Sequence, residues 1–290
     1  MTSNKKITTP VSERQVYHTG RLKSYPVAEC WELMAASRPI FKSPGYEPHR
    51  EPKAPQTRAR KAAAGEPETA EAKKENVLRA VRRAKAKMRD YCYSTEFKWF
   101  VTLTLDPEKI NRYDVPVIVR KMSQWCSDQV KRRGLTYVLV PELHEDGAVH
   151  FHGFFNDVLE VVDSGTIIPV RGKRPIKPRS EAHREKLLRD GGHIVYNLPR
   201  WKLGFTTAIA LYGDYRKAVG YVLKYVGKEL SADGTPRKIG GRWYYSGGKL
   251  RLPDVSYTDD YAGVVAHEGD AYVFEVPQAG LVVAVKTGNY

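Results

Sequence analysis

The sequence predicts an α+β protein in which a helix packs on a mostly antiparallel sheet. Three observations lead to this fold class. Residues 98–105 alternate and are rich in β-branched and aromatic side chains, residues 115–133 have apolar residues at helical spacing, and residues 135–155 contain two strand-like segments joined by a tight turn. A strand, a helix and a hairpin in that order favour helices packed on an antiparallel sheet.

The N-terminal region differs from the rest in composition. Residues 1–72 mix Lys, Arg, Pro and Ala, and we expect a basic arm there that is poorly ordered or serves as an adaptor. Residues 27–36 have the pattern of a short local helix. From Lys73 to about Tyr91 the apolar spacing predicts a helix. Its other face is basic and is either solvated or in contact with a nucleic-acid backbone.

The central domain is predicted to span residues 73–255. The strand at 98–105 stops at Asp106-Pro107, and Asp114 and Pro116 suit the start of a helix from Val115 to Arg133. The two strands of the hairpin are then predicted at 135–143 and 148–155.

Later elements are less regular in sequence. A long basic loop is expected as an insertion near 160–195, a strand within 196–207, and a helix over 215–230. Residues 256–290 are predicted to form a C-terminal extension with short strands.

The charge of the chain favours polyanionic partners. Its 290 residues include 48 Lys plus Arg against 33 Asp plus Glu, a net charge of +15. No apolar run approaches the ~20 residues that cross a bilayer, so we expect no membrane partner and a cytoplasmic location in a bacterial host. The three cysteines, Cys30, Cys92 and Cys126, are far apart and are expected to be free thiols.

A candidate metal site lies in the hairpin. His150 and His152 share one face of a strand because alternate residues point the same way. A two-residue loop at 146–147 would place Glu142 on the opposite face. A three-residue loop at 145–147, with its glycine in the left-handed conformation, would place Glu142 directly across from His150.

Two histidines and one carboxylate on one face suit a divalent ion, Mg²⁺ or Mn²⁺, acting as a Lewis acid on phosphate oxygens. His144 falls on the same face and is a candidate fourth ligand or a group that supports the ligands. Thr102 and Thr104 are candidates for the same supporting role. Two strand histidines alone are also common without any function, so the second motif decides the interpretation.

The second motif is a pair of tyrosines on the predicted helix at 215–230. Its apolar stripe is Val219, Val222, Leu223, Val226 and Leu230, and the neighbouring stripe is Tyr221, Lys224, Tyr225 and Lys228. A phenol attacks phosphate well only when its developing charge is stabilised, which nearby lysines and a metal provide. The four residues of the second stripe are therefore the catalytic candidates.

Together these residues resemble the HUH endonuclease superfamily, and more closely its phage-type rolling-circle replication initiators with paired tyrosines. The matching segments, in family order, are 100–105, the His-Phe-His motif at 150–152, and the Tyr-Val-Leu-Lys-Tyr-Val-Gly-Lys motif at 221–228. The resemblance implies an antiparallel sheet of about five strands, with Tyr221 as the first nucleophile and Tyr225 as the second. It also implies nicking of single-stranded DNA at an origin hairpin.

No G-x-x-x-x-G-K-[ST] sequence occurs in the chain, so a host helicase and polymerase are the expected partners. Two alternatives remain at this stage. One is a single-strand transposase or relaxase of the same superfamily, and the other is an origin-binding protein without catalytic activity.

Overall fold

The computed structural model describes residues 17–43, 69–170, 174–211, 215–260, 271–276 and 281–289. The chain divides into two compact units. The smaller comprises the described parts of residues 1–25, 29–68 and 254–290, and the larger comprises residues 26–28 and the described parts of 69–253.

The described elements are numbered in chain order. The strands are β1 (Tyr17–His18), β2 (Gly20–Tyr25), β3 (Cys30–Ala36), β4 (Phe41–Lys42), β5 (Trp99–Thr104), β6 (Tyr137–Leu143), β7 (Val149–Phe155), β8 (Val162–Ile168), β9 (His193–Asn197), β10 (Thr206–Ala210), β11 (Tyr245–Gly247), β12 (Asp254–Thr258), β13 (Ala271–Val276) and β14 (Leu281–Asn289). The helices are α1 (Ala70–Ser94), α2 (Val115–Arg133), α3 (Glu181–Arg189) and α4 (Tyr215–Leu223).

The larger unit is built on a seven-stranded sheet with the order β11-β6-β7-β5-β10-β9-β8. Every neighbouring pair in it is antiparallel. The predicted α+β class and antiparallel sheet are therefore confirmed, with seven strands where about five were expected. The additional strands lie at the β8 and β11 edges, where short segments of weak periodicity are held by pairing with distant strands.

The basic insertion near 160–195 is not a long loop in its described parts. It contains β8 and α3, and β8 pairs with β9. The helix begins after Ser180, whose side chain accepts a hydrogen bond from the backbone N–H of His183 at 3.2 Å. Its charged residues hid the helix because none of its side chains is buried. Likewise, the single strand expected within 196–207 is replaced by β9 and β10.

Helix α2 has the predicted bounds. Asp114 caps its start by accepting a hydrogen bond from the backbone N–H of Val117 at 3.1 Å, and Pro116 lies in its first turn. Gly134 ends it in the left-handed conformation, with φ of 75°. Local capping signals were therefore sufficient to place this helix.

The seven-stranded sheet separates two apolar clusters. On one face, α2 packs on inward-facing residues of the central strands, and Val101, Leu103 and Phe151 are fully buried there. On the other face, α1 and α4 pack on Val138 and Phe154. The larger unit therefore has three layers, with the sheet in the middle.

The smaller unit contains a five-stranded antiparallel sheet with the order β12-β2-β3-β14-β13. Residues 17–43, expected to be poorly ordered or an adaptor, form strands there. The local helix predicted over 27–36 is wrong, because Cys30–Ala36 is β3, paired with β2 and with β14 near the C-terminus. That partner lies too far along the chain for local composition to reveal it. The short strands predicted at 271–276 and 281–286 are confirmed.

All three cysteines are buried free thiols, as expected. Helices in the described part of the chain are all too short or too polar to cross a bilayer.

Candidate active site

The loop of the β6–β7 hairpin has the three-residue form. Gly147 has φ of 83°, a conformation open mainly to glycine, and the backbone N–H of His144 donates to the carbonyl of Ala148 at 2.8 Å. This closure places Glu142 directly opposite His150. The three-residue register predicted from the sequence is therefore confirmed.

Two threonines of β5 hold the histidines of β7. Thr102 lies opposite His152, and its hydroxyl is 3.1 Å from the Nδ1 atom of that ring. Thr104 lies opposite His150, with a hydroxyl–Nδ1 distance of 3.4 Å. Hydrogen bonding at Nδ1 fixes each ring and leaves Nε2 to face another group, as in metal-binding histidines.

The carboxylate of Glu142 joins two parts of the site. Its Oε2 atom is 2.8 Å from Nε2 of His152, and its Oε1 atom accepts a hydrogen bond from the ammonium group of Lys228 at 2.5 Å. The side chains of Glu142 and His152 are largely buried, whereas that of Lys228 is about half exposed. The ion pair raises the pKa of Lys228, so this residue remains cationic.

The donor set fits a divalent ion in its chemistry. Burial lowers the pKa of His150 and His152, which favours the neutral imidazole that binds metals. Across the described ranges of the chain, however, no three His, Cys, Asp or Glu side chains are grouped closely enough to hold a metal ion. The hydrogen bond between Glu142 and His152 occupies atoms that would both be ligands.

His144 is at the margin of this cluster. Its ring stacks on that of His150, with centroids 5.2 Å apart, and its Nδ1 atom lies 3.4 Å from a carboxylate oxygen of Asp146. The side chain is more than half exposed. This position agrees better with a supporting role than with a fourth ligand.

The helix that carries the tyrosines is shorter than predicted. Helix α4 ends at Leu223, and the chain continues in a turn whose hydrogen bonds span three residues, such as that from the N–H of Tyr225 to the carbonyl of Val222. Gly227 then adopts a left-handed φ of 76° and lies against Val81 of α1. This turn takes Leu230 off the predicted apolar stripe, and its side chain is 55% exposed.

The two tyrosines nevertheless meet. The Tyr225 hydroxyl donates a hydrogen bond to the Tyr221 hydroxyl at 2.5 Å, and the two rings pack edge to face. The Tyr225 ring stacks on that of His152, with centroids 5.0 Å apart and an interplanar angle of 15°. Burial, and then this hydrogen bond, raise the pKa of Tyr225. Tyr221 is the more exposed of the two phenols.

The two lysines of the predicted stripe are separated. Lys228 reaches Glu142 and lies 5.3 Å from the centre of the Tyr225 ring. Lys224 is exposed and forms no ion pair with a described residue. The turn after α4 therefore brings one lysine to the site and leaves the other at the surface.

Two residues near the site were not singled out from the sequence. Phe100 stacks on His152 and packs edge to face on Tyr221, so it links the histidines to the tyrosines. Its place on the same strand face as Thr102 was the signal that could have identified it. Arg112 pairs with Asp146 of the hairpin loop at 3.1 Å, a contact between separate segments that the sequence did not indicate.

The fold and the paired tyrosines are those expected of a rolling-circle replication initiator. Residues 98–230 match a family model described as replication-associated protein ORF2, which confirms the resemblance inferred from the motifs. The family is one of replication-associated proteins, and a role as a replication initiator is supported. Comparisons with curated proteins and with solved structures gave no match.

Proposed function

We propose that this protein nicks single-stranded DNA at a replication origin by attack of a tyrosine on a phosphodiester. The observation that carries the proposal is the position of Tyr221 and Tyr225. Their hydroxyls are in contact, and the ring of Tyr225 lies on that of His152, whose Nε2 atom faces Glu142. Two nucleophiles and a set of metal-binding atoms therefore share one end of the sheet.

The first step uses Tyr221 as the nucleophile. Its oxygen accepts the hydrogen bond donated by Tyr225, and such a donor stabilises the charge that develops on a phenol as it loses its proton. The raised pKa of Tyr225 keeps that donor protonated. Attack forms a bond from the phenol oxygen to phosphorus and breaks the bond to the 3′ oxygen. The phenol proton is released to solvent, and the leaving oxygen takes up a proton.

The products are a 5′-phosphotyrosine and a free 3′-hydroxyl, the end that a polymerase extends in rolling-circle replication. The number of phosphate ester bonds is unchanged, so the reverse reaction rejoins strands without an energy source. A second tyrosine in contact with the first allows a second cut while the first DNA end stays attached. Because the chain has no nucleotide-binding loop of the P-loop type, we expect a host helicase to unwind the duplex.

Glu142, His150 and His152 would hold the divalent ion, Mg²⁺ or Mn²⁺, with His144 supporting His150. The chemistry that such an ion supplies when bound is polarisation of a phosphate oxygen. Thr102 and Thr104 orient the imidazoles through their Nδ1 atoms. Lys228 supplies a positive charge beside Tyr225, and Lys224 is placed at the surface where a DNA backbone can pass.

The test is the capture of a covalent adduct. The protein is incubated with Mn²⁺ and a labelled pool of single-stranded DNA that contains random sequence, and the products are separated on a denaturing gel. We expect a labelled band at the mass of the protein plus DNA. It should be lost in the Tyr221→Phe/Tyr225→Phe double variant and retained in Tyr17→Phe, which removes an exposed phenol from the smaller unit.

The single variants decide the order of attack. Tyr221→Phe should lower the adduct yield more than Tyr225→Phe, because Tyr225 acts first as a hydrogen-bond donor. The opposite ranking would assign the first step to Tyr225. An origin-binding protein without catalytic activity would retain the labelled DNA on a native gel and give no adduct under denaturing conditions, and that result would contradict the proposal.

A further inference from the structure

Beside the tyrosine pair lies a pocket that the nicking chemistry does not use. It has a volume of about 200 Å³ and is formed between the end of β10 and the first turns of α4. Its lining is Phe100, Ile209, Ala210, Leu211, Ala218 and Tyr221. The pocket belongs entirely to the larger unit.

The chemistry of the lining limits what the pocket can bind. No charged side chain of the described residues lines it, so it does not suit a phosphate group or a metal ion. It presents two aromatic rings, those of Phe100 and Tyr221, which pack edge to face with centroids 6.0 Å apart. A flat, uncharged and aromatic group is the occupant that such walls favour.

The position of the pocket identifies that group. Tyr221 contributes to the pocket and also presents the hydroxyl that contacts Tyr225, while Phe100 packs on His152 on its other side. A DNA strand whose phosphate reaches the Tyr221 oxygen would therefore carry its neighbouring base to the mouth of the pocket. Bases of single strands are free to unstack and to bind aromatic side chains.

We propose that this pocket binds one unstacked nucleobase of the strand, next to the phosphate that Tyr221 attacks. The base rests on Phe100 and Tyr221, and the small side chain of Ala218 leaves the space that it enters. Binding of the base fixes the position of the adjoining phosphate. The identification of the strand rests on the proposed function, whereas the existence of the base site is tested without any cleavage.

The experiment compares strands with and without bases. Fluorescence anisotropy measures the binding of a labelled thymidine 12-mer and of an abasic strand of the same length, in EDTA so that no strand is cut. The variant Ala218→Leu fills the pocket with a side chain that helices accept well. The matched control is Ala86→Leu, the same change at an exposed position of α1 outside the pocket.

Wild-type protein should bind the thymidine strand more tightly than the abasic strand. Ala218→Leu should weaken binding of the thymidine strand by about 5- to 100-fold, the loss of one stacked base, and leave binding of the abasic strand unchanged. Ala86→Leu should bind both strands as wild type does. Equal binding of the two strands by wild type overturns the proposal, and this result does not depend on whether the variant folds.

Two further results also overturn the proposal: unchanged binding of the thymidine strand by Ala218→Leu, or equal weakening of both strands. Failure of the adduct experiment together with the expected binding pattern would remove the nicking reaction and leave the base site. Adduct formation without any difference between the strands would do the reverse.

Discussion

The two faces of the seven-stranded sheet use the same strands for opposite purposes. On the face covered by α2, Leu103 and Phe151 are fully buried in an apolar cluster. On the other face, the neighbouring residues Thr102, Thr104 and His152 are polar and bonded to one another or to Glu142. Strand alternation allows adjacent residues in one strand to serve stability and chemistry separately, because they point to different layers.

This comparison also explains why polar residues are tolerated near the centre of the sheet. Buried polar groups are costly unless they are hydrogen-bonded, and each imidazole of the site has a threonine partner at Nδ1. The face that carries the site is closed by α1 and α4 at one end, where Phe154 is buried, and opens towards the hairpin loop. Substitutions on the two faces should therefore have different consequences.

The largest effect is expected from the closed face. Phe151→Ala removes a fully buried ring that packs edge to face on Tyr245, and it should lower the free energy of unfolding by about 3–5 kcal/mol. Urea unfolding followed by circular dichroism measures this change. A loss below about 1 kcal/mol would mean that the cluster under α2 is not a close-packed core.

The adjacent residue on the open face should behave in the opposite way. His152→Ala should reduce the rate of adduct formation by about 100-fold or more, because loss of a ligand costs at least as much as loss of the group that orients it. Its cost in unfolding free energy should be smaller than that of Phe151→Ala. If both substitutions mainly reduce stability, the separation of roles between the two faces is wrong.

A smaller effect is expected from the hydroxyl groups behind the histidines. Thr102→Val keeps the shape of the side chain but removes the partner of His152 Nδ1, and it should weaken Mn²⁺ binding by about 10-fold. Thr104→Val should weaken it less, because its hydroxyl lies farther from His150. Calorimetric titration with Mn²⁺ measures both. Equal affinities in wild type and Thr102→Val would remove the orienting role.

The mildest test is the dependence of stability on pH. Burial lowers the pKa of His150 and His152 below its value in the unfolded chain, so the unfolded state binds more protons in mild acid. Their contribution to stability is present above the unfolded pKa and is lost as the pH falls from there through the lower folded pKa. Metal-free protein should therefore be less stable at about pH 5.5 than at about pH 7.5, as measured by urea unfolding at the two pH values.

The matched control for this test is the double variant His150→Asn/His152→Asn. It keeps the acidic residues and the other histidines, and its stability should change less over the same pH interval. An identical slope in wild type and variant would assign the pH dependence to groups outside the site.

The sequence by itself determined those features that depend on neighbours along the chain. The bounds of α2 followed from Asp114, Pro116 and Gly134, which act within a turn of the helix ends. The register of the hairpin followed from strand alternation and from Gly147, so Glu142 was correctly placed opposite His150. In such features the deciding interactions span only a few residues, and a local pattern contains them.

Tertiary structure alone decided the rest. Pairing of β3 with β14, and of β8 with β9, turned an expected arm and an expected loop into strands. Packing of Gly227 against Val81 accompanied the early end of α4, so that Lys228 contacts Glu142 while Lys224 does not. These contacts join segments far apart in sequence. Their free energy depends on how the layers pack, and no local period in the chain records it.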